Sequence, residues 1–582
     1  MKINRNIFWS TLFVEELVKL GVEHVCISPG SRNTPLTYAF ATNPRVKSFV
    51  HIDERVSGFF AIGLARTLQK PVVLVCTSGT AVAELYPSII ESYNQRIPLI
   101  VCTADRPSEV RFLGANQTIN QLNIYKNHIR KFYDLDLPSL NIEKLKTFRN
   151  QINEAVAIST CIDKGPVHFN FPFDKPFEPD AYTDSINLSR IMKSISVQPN
   201  NSMISKKRKN NQKILNEIVR QVKQAKRVII VVGPMMRDEE FINNLIDLSE
   251  RLNIPIFADA SSSIRFGKGN RRNVIVNYDA FFRSAATRKK LKPDLILHFG
   301  RTITSKSFED FLTSLSCKKY IINDYGDLFD PSNNATAALK ISPSRFCQIV
   351  FRELSSLSQL STSIWLESFI NLDSSVNKIK EEVIHASDFP SEATIVNHLI
   401  KSLPQNSKVL LGNSLPIRDF DNFVAKSEKN ITVYHNRGAS GIDGLISTAF
   451  GISESNNEPT FLIIGDLSFY YDLNSLLLTQ NLKSPLVVIL INNNGGGIFE
   501  LLPIAKHKSV FDKYFKVGSS ISFEPIIKAF GGVYRKVKSW KDFSSAIIRA
   551  SRLNKLTVLE IFTDSTKSLQ LRKDFWAKTS KL

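Results

Sequence analysis

Residues 485–499 read PLVVILINNNGGGIF. The branched apolar run Leu486 to Ile491 stops in three asparagines and then three glycines. An unbroken apolar run of this length fits a strand covered on both faces, as in a parallel sheet. A tight turn needs one Asn-Gly pair. Three of each place amide oxygens and bare backbone at the carboxyl end of the strand, where open parallel sheets hold ligands. A second run, PTFLIIGD (459–466), closes in Gly465 and Asp466. The asparagines begin 26 residues after Asp466, enough for one crossover between neighbouring parallel strands.

A carboxylate, an amide oxygen and a backbone carbonyl are hard donors that suit Mg²⁺, with phosphate and water completing its shell. Glycines 495–497 would let backbone N–H groups approach a diphosphate. Either half alone does no more than close a strand. Together, at this spacing, they point to a metal and phosphate site.

Working outward, apolar runs alternate with helical patterns along the whole chain of 582 residues, which predicts α/β units with parallel sheets. The first third holds HVCIS (24–28), PVVLVCTS (71–78), PLIVCTA (98–104) and PVHFNFP (166–172). Residues 180–212 are rich in Ser, Asn and Lys and read as a linker. RVIIVVG (227–233), IPIFADA (254–260), DLILHFG (294–300) and KYIIND (319–324) form a second block, and serines at 353–363 mark its end. KVLLGNS (408–414), TVYHN (432–436), the two runs above and LTVLEIFTD (556–564) form the third. The first and third blocks share a layout.

Composition narrows the function. No apolar run reaches the roughly 20 residues of a membrane span. The N-terminal stretch carries Glu15, Glu16 and Lys19 and reads as an amphipathic helix, not a signal peptide. Six scattered cysteines without a Cys-x-x-Cys pair give no zinc or disulfide framework and fit a reducing cytoplasm. The net charge of +21 is spread along the chain, with its densest run at Lys206 to Lys209, so no nucleic-acid module is expected and basic clefts for small anions are. Arg265, Lys268, Arg271 and Arg272 read as a solvated basic loop, with an anion site as the alternative.

Gly-Asp followed by Asn-Asn at this spacing resembles the signature of thiamine-diphosphate-dependent enzymes. One departure is Leu467, where many members have a second glycine. The resemblance implies three doubly wound parallel-sheet α/β domains: a pyrimidine-binding domain (1–182), a linker (183–212), a central domain (213–355) and a diphosphate-binding domain (356–582). It implies thiamine diphosphate and Mg²⁺ or Mn²⁺ as cofactors, with Asp466, Asn493 and the Gly495 carbonyl on the metal. It further implies a glutamate at the aminopyrimidine ring. HIDERVSGFFAIGLAR supplies Glu54, expected at a helix start after a short strand over 50–52. Ile442, in NRGASGIDG, matches the apolar residue that bends the cofactor. Ser440, Gly441, Gly465, Leu467, Ser468, Gly496, Gly497 and Ile498 complete the implied cofactor contacts.

SPGSRNTPL, DER, TSGTAVAELYP, TADRP, GANQ, NRGASGIDG, GDLS and NNNGGGIF together resemble the 2-succinyl-5-enolpyruvyl-6-hydroxy-3-cyclohexene-1-carboxylate synthase family of menaquinone biosynthesis. That implies a transferase that decarboxylates 2-oxoglutarate and adds the remaining four carbons to isochorismate by 1,4-addition. Ser414 and Arg418 would hold the first substrate. Ser31, Arg32, Arg106, Lys306 and Arg437 would hold carboxylates of the second or of the adduct. Asn116 and Gln117 would bond the reacting group, and Ile498, Phe499 and Leu502 would wall it. A homodimer or dimer of dimers, with sites between subunits, is the implied assembly. Glu54 and the metal motif also fit other thiamine enzymes, such as acetolactate synthase or a 2-oxoacid decarboxylase, which need no such set of dispersed cations.

Overall fold

The computed structural model describes residues 1–195, 208–354, 363–518 and 521–582. The middle of the expected linker and most of the serine-rich stretch at 353–363 lie outside them, as do Lys206 and Lys207 of the basic run. Within the linker, Leu188–Ser194 is helical, and the helix Arg208–Gln224 starts inside it.

Two compact units form. One contains 1–204, 436–457 and 471–483; the other contains 205–435, 458–470 and 484–582. The first unit holds a six-stranded parallel sheet of His24–Ile27, Lys47–Val50, Val72–Cys76, Leu99–Asp105, Lys131–Asp134 and Val167–Pro172. In chain order these lie 2-1-3-4-6-5. The second unit holds two more six-stranded parallel sheets. One, from Val228–Val232 to Ala337–Lys340, has the order 3-2-1-4-5-6. The other, from Ser407–Leu411 to Leu556–Phe562, repeats 2-1-3-4-6-5, so the shared layout of the outer blocks is real.

The central strands are buried residue by residue, which is why their sequences read as apolar runs. The cysteines Cys26, Cys76 and Cys102 sit in them as small hydrophobes, and all six cysteines are free thiols. No described helix is long and apolar enough to cross a membrane. The N-terminal amphipathic helix forms over Arg5–Lys19, capped by the Asn4 side chain.

Two helices of the first unit approach unusually closely. A Cβ on Gly63 would lie 2.1 Å from the Thr448 carbonyl oxygen, and one on Gly451 would lie 2.0 Å from that of Phe60. Mid-helix glycine costs about 1 kcal/mol against alanine. Here it lets Glu54–Leu68 and Leu445–Ser453 pack backbone to backbone, which ties the Glu54 helix to the loop carrying Ile442.

In the basic loop of the middle block Lys268 and Arg272 are exposed, as expected of a solvated loop, but Arg265 and Arg271 are not. Arg265 is fully buried. Its guanidinium donates to the Ala258 and Asp421 carbonyls at 2.9 and 2.8 Å and pairs with the Asp421 carboxylate. Arg271 folds back on the carbonyls of Ile264 and Phe266 at 2.9 and 3.0 Å. These arginines close a loop whose backbone would otherwise lack donors. They are neither a solvated surface nor an open anion site.

Lys380 is the unusual buried charge. Its Nζ has no hydrogen-bond partner, and burial lowers its pKa from 10.5 to about 7 although Asp373 opposes the shift. Between these values the unfolded chain binds the proton that the folded chain sheds, so stability rises with pH across that window. Lys380→Met is expected to raise the melting temperature most below pH 7, where it adds up to roughly 5 kcal/mol of stability. The gain should fade as pH approaches 10. Thermal melts giving an equal gain at pH 6.5 and pH 10 would contradict this.

Candidate active site

The third sheet reverses its winding between Ser407–Leu411 and Thr460–Gly465, and the carboxyl ends there are the natural ligand position. Gly465 pairs with Ile491 across the next two strands, so Asp466 and the asparagines emerge side by side. Asp466 is buried. Its Oδ2 accepts the Gly495 N–H at 2.8 Å and its Oδ1 the Leu467 N–H at 2.9 Å. Burial raises its pKa to about 6; those amides oppose the shift, and nearby Glu392 adds to it. A carboxylate offers about four lone-pair positions, so both oxygens retain capacity for a cation.

Asn493 donates its Nδ2–H to Glu392 Oε1 at 2.8 Å. Its Oδ1 is buried and has no hydrogen-bond partner. A lone buried amide oxygen is costly unless something fills its shell. The Gly495 carbonyl accepts the Gly497 N–H at 2.9 Å and keeps a second lone pair. A carboxylate, an unpartnered amide oxygen and a carbonyl fit a hard divalent cation.

Gly495 has φ 129°, and a Cβ there would lie 2.0 Å from the Lys516 carbonyl oxygen. The glycines thus admit the strap around Lys516. The expected amide donors are already engaged: Gly496 N–H with the Lys516 carbonyl at 2.6 Å, and Gly497 N–H with that of Gly495. The following turn, Gly497–Leu501, leaves Ile498 and Phe499 half-buried and Leu502 exposed.

Ser414 follows the neighbouring strand end with φ 73°, and Arg418 donates to its carbonyl at 2.6 Å one helical turn on. Ser468 is buried in the short helix opened by Asp466, while Gly465 and Leu467 are half-buried. Lys306 opens the helix Lys306–Thr313, exposed and paired with Glu309 and Asp310 at 3.4 and 3.0 Å.

In the first unit, the strand before Glu54 runs over Lys47–Val50; the expected 50–52 strand is displaced because Asp53 caps the next helix instead. Asp53 Oδ1 accepts the Arg55 and Val56 N–H groups at 2.9 and 3.2 Å, which places Glu54 at the first helical position. Glu54 is half-buried, and desolvation, with Asp53 and Glu84 adding to it, holds its pKa above the usual carboxylate value.

Arg32 and Arg106 sit close enough that Arg106 helps burial to lower the Arg32 pKa. Arg32 donates to the Phe173 carbonyl at 2.6 Å; Arg106 bonds Ser78 Oγ and the Asn116 carbonyl. Gln117 reaches the Ser78 carbonyl at 3.3 Å. The structure therefore gathers Arg32, Arg106, Asn116 and Gln117 around the strand ends at Ser28, Ser78 and Asp105, with Ser31 exposed beside them. Ile442 is an exposed isoleucine on a loop that also carries Arg437, Ser440 and Gly441.

Sequence reasoning missed what holds these loops. Glu91 accepts the Gly438 and Ala439 N–H groups at 2.8 and 2.6 Å and so fixes the Arg437–Ile442 loop. Gln121 bonds the Gly79 N–H at 3.2 Å and Asn170 at 2.9 Å, anchoring the segment with Asn116 and Gln117. Neither contact has a local signal, because each joins residues far apart in the chain.

Three family models match in succession: thiamine pyrophosphate enzyme, N-terminal TPP binding domain, over residues 9–124; the middle domain of thiamine pyrophosphate enzymes over 196–411; and the C-terminal TPP binding domain over 422–561. A benzoylformate decarboxylase structure from Polynucleobacter necessarius superposes with a TM-score of 0.67 over 97% of this chain and 99% of that one, at 15% identity, a likeness of fold. The chain belongs to the thiamine-pyrophosphate-dependent enzymes.

Curated relatives narrow this. The 2-succinyl-5-enolpyruvyl-6-hydroxy-3-cyclohexene-1-carboxylate synthase of Oceanobacillus iheyensis is 36% identical over 565 residues, covering 97% of this chain and 96% of that protein. The synthases of Bacillus velezensis and Listeria monocytogenes are 36% and 35% identical over 97% of this chain and 96% of theirs. The chain belongs to that synthase family.

Proposed function

We propose that this chain joins 2-oxoglutarate, with loss of CO₂, to isochorismate by 1,4-addition, giving 2-succinyl-5-enolpyruvyl-6-hydroxy-3-cyclohexene-1-carboxylate for menaquinone biosynthesis in the cytoplasm. The observation that carries the reading is the likeness to synthases of that name along 97% of the chain. The Arg32–Arg106 pair supports it, since neither guanidinium has an ion-pair partner among the described residues and two dianionic acids need such cations.

Thiamine diphosphate, when bound, supplies the carbon nucleophile and the electron sink for decarboxylation. The chain's own residues do the rest. Asp466, Asn493 Oδ1 and the Gly495 carbonyl hold Mg²⁺ or Mn²⁺, and Ser440, Gly441, Gly465, Leu467, Ser468, Gly496 and Gly497 line the cofactor. Glu54 presents its carboxyl to the aminopyrimidine ring, and the desolvation that raises its pKa favours sharing a proton with that ring. Ile442 would offer the bound cofactor an apolar support. Ser414 and Arg418 hold the distal carboxylate of 2-oxoglutarate. Ser31, Arg32, Arg106, Lys306 and Arg437 hold the carboxylates of isochorismate or of the adduct. Asn116 and Gln117 would hydrogen-bond the reacting group, and Ile498, Phe499 and Leu502 would form the apolar wall beside it. Domains over 1–182, 213–355 and 356–582 and a homodimer, or pair of dimers, with sites between chains complete the reading.

The test is acceptor choice. With 2-oxoglutarate, thiamine diphosphate and Mg²⁺, isochorismate should be consumed and pyruvate or acetaldehyde should not. Turnover of pyruvate in its place would favour an acetolactate-synthase-like enzyme. In the same assay Arg418→Ala is expected to raise KM for 2-oxoglutarate on the order of 10–100-fold, the loss of one charge-assisted pair. An unchanged KM would remove Arg418 from the site.

A further inference from the structure

Asn493 poses a problem of polarity. A side-chain amide presents an oxygen on one side and an NH₂ on the other, and a half-turn about its last bond exchanges them. Only one orientation can bind a cation. In the second unit the NH₂ faces Glu392 Oε1 at 2.8 Å, which leaves Oδ1 as the unpartnered atom. Glu392 is itself fixed. It lies 1% exposed at the start of the helix Glu392–Ser402, and its Oε2 accepts from Arg572 at 2.7 Å. Thr563 Oγ donates to its Oε1 at 3.2 Å. Arg572 also grips Asp419 through two bonds, of 2.8 and 2.5 Å, and has no acceptor atom to offer. Burial would lower the Arg572 pKa, but Asp419 and Glu392 hold it above its ordinary range, so the guanidinium stays charged.

We propose that Glu392, oriented by Arg572, is a positioning residue that locks the Asn493 amide with its oxygen presented to a divalent cation. The proposal rests on the reading of Asn493 as a metal ligand. The chain of donors and acceptors runs one way: Arg572 can only donate, Glu392 can only accept, and Asn493 must therefore donate to it. The site keeps an amide oxygen because a buried arginine some 80 residues further along the chain dictates which way the amide turns.

Reversing one link should reverse the amide. In Glu392→Gln, Arg572 claims the new side-chain oxygen, and the new NH₂ faces Asn493. Asn493 must then turn its oxygen to Gln and its own NH₂ to the cation. Asn493→Asp alone sets two carboxylates face to face. In the double variant the glutamine NH₂ donates to the aspartate, whose second oxygen is left for the metal.

The experiment is Mn²⁺ titration of the full-length protein with saturating thiamine diphosphate, reading free Mn²⁺ by electron paramagnetic resonance, with thermal melts to show folding. Each single variant is expected to weaken Mn²⁺ binding about 10–100-fold, and the double variant to recover to within about threefold of the parent. If Asn493→Ala binds Mn²⁺ as the parent does, the ligand reading itself fails. If Asn493→Ala loses Mn²⁺ but Glu392→Gln does not, the ligand stands and the positioning role is overturned. A double variant no better than Glu392→Gln also overturns it, since a merely structural loss would not be rescued. Should Glu392→Gln fail to fold, Asn493→Asp binding as tightly as the double variant would overturn it equally.

Discussion

Glu54→Gln is expected to lower kcat by about 10²–10⁴-fold, the range for removing a positioned acid or base. Binding of Mn²⁺ should stay unchanged, because Glu54 is not among the proposed metal donors Asp466, Asn493 and Gly495. The substitution keeps size and one hydrogen-bonding oxygen, so what it removes is the titratable carboxyl. The surroundings are built for that carboxyl. Asp53 caps the helix and fixes Glu54 at its first position, and desolvation keeps its pKa raised. The packing of Gly63 and Gly451 binds this helix to the one after Ile442, so the carboxyl and the isoleucine loop move as one body. Steady-state rates of the variant with both substrates check this, and activity within tenfold of the parent would remove Glu54 from the proton chemistry.

Asp466→Ala is expected to weaken Mn²⁺ binding by more than about 100-fold, beyond the effect of losing an outer partner. Activity should vanish with it. The carboxylate has two duties, because it also accepts the N–H groups of Leu467 and Gly495. Its removal therefore takes away a charge and releases the turn that presents the Gly495 carbonyl. Asp466→Asn separates the two: one oxygen still accepts an amide, but the charge is lost. Calorimetric titration with Mn²⁺ should place Asn between Ala and the parent. Parent-like affinity in Asp466→Ala would contradict the proposed cation site.

Much of this was readable along the chain. The buried central strands declared themselves as apolar runs, and Asp466, Asn493 and Glu54 each sit where a strand end or helix start was expected. Some edge strands were missed. Lys131–Asp134 and Val533–Lys536 are short, charged and partly exposed, so pairing in the sheet and not burial makes them strands. The supports of the site were also hidden. Glu392, Asp419, Asn493 and Arg572 are linked in one chain of bonds from four separated segments, and Glu91 reaches Gly438 across more than three hundred residues. Only tertiary folding brings such groups together. Arg265 shows the converse: a charge that resembled a solvated loop residue is buried because Asp421 and two carbonyls meet it.

In the proposed reaction, decarboxylation of one acid is coupled to addition to the other. Supplying 2-oxoglutarate labelled at C1 with ¹³C, together with isochorismate, thiamine diphosphate and Mg²⁺, allows labelled CO₂ and isochorismate to be counted in the same vessel. One labelled CO₂ is expected for each isochorismate consumed, and neither change when the metal is withheld. Release of CO₂ while isochorismate stays untouched would contradict it.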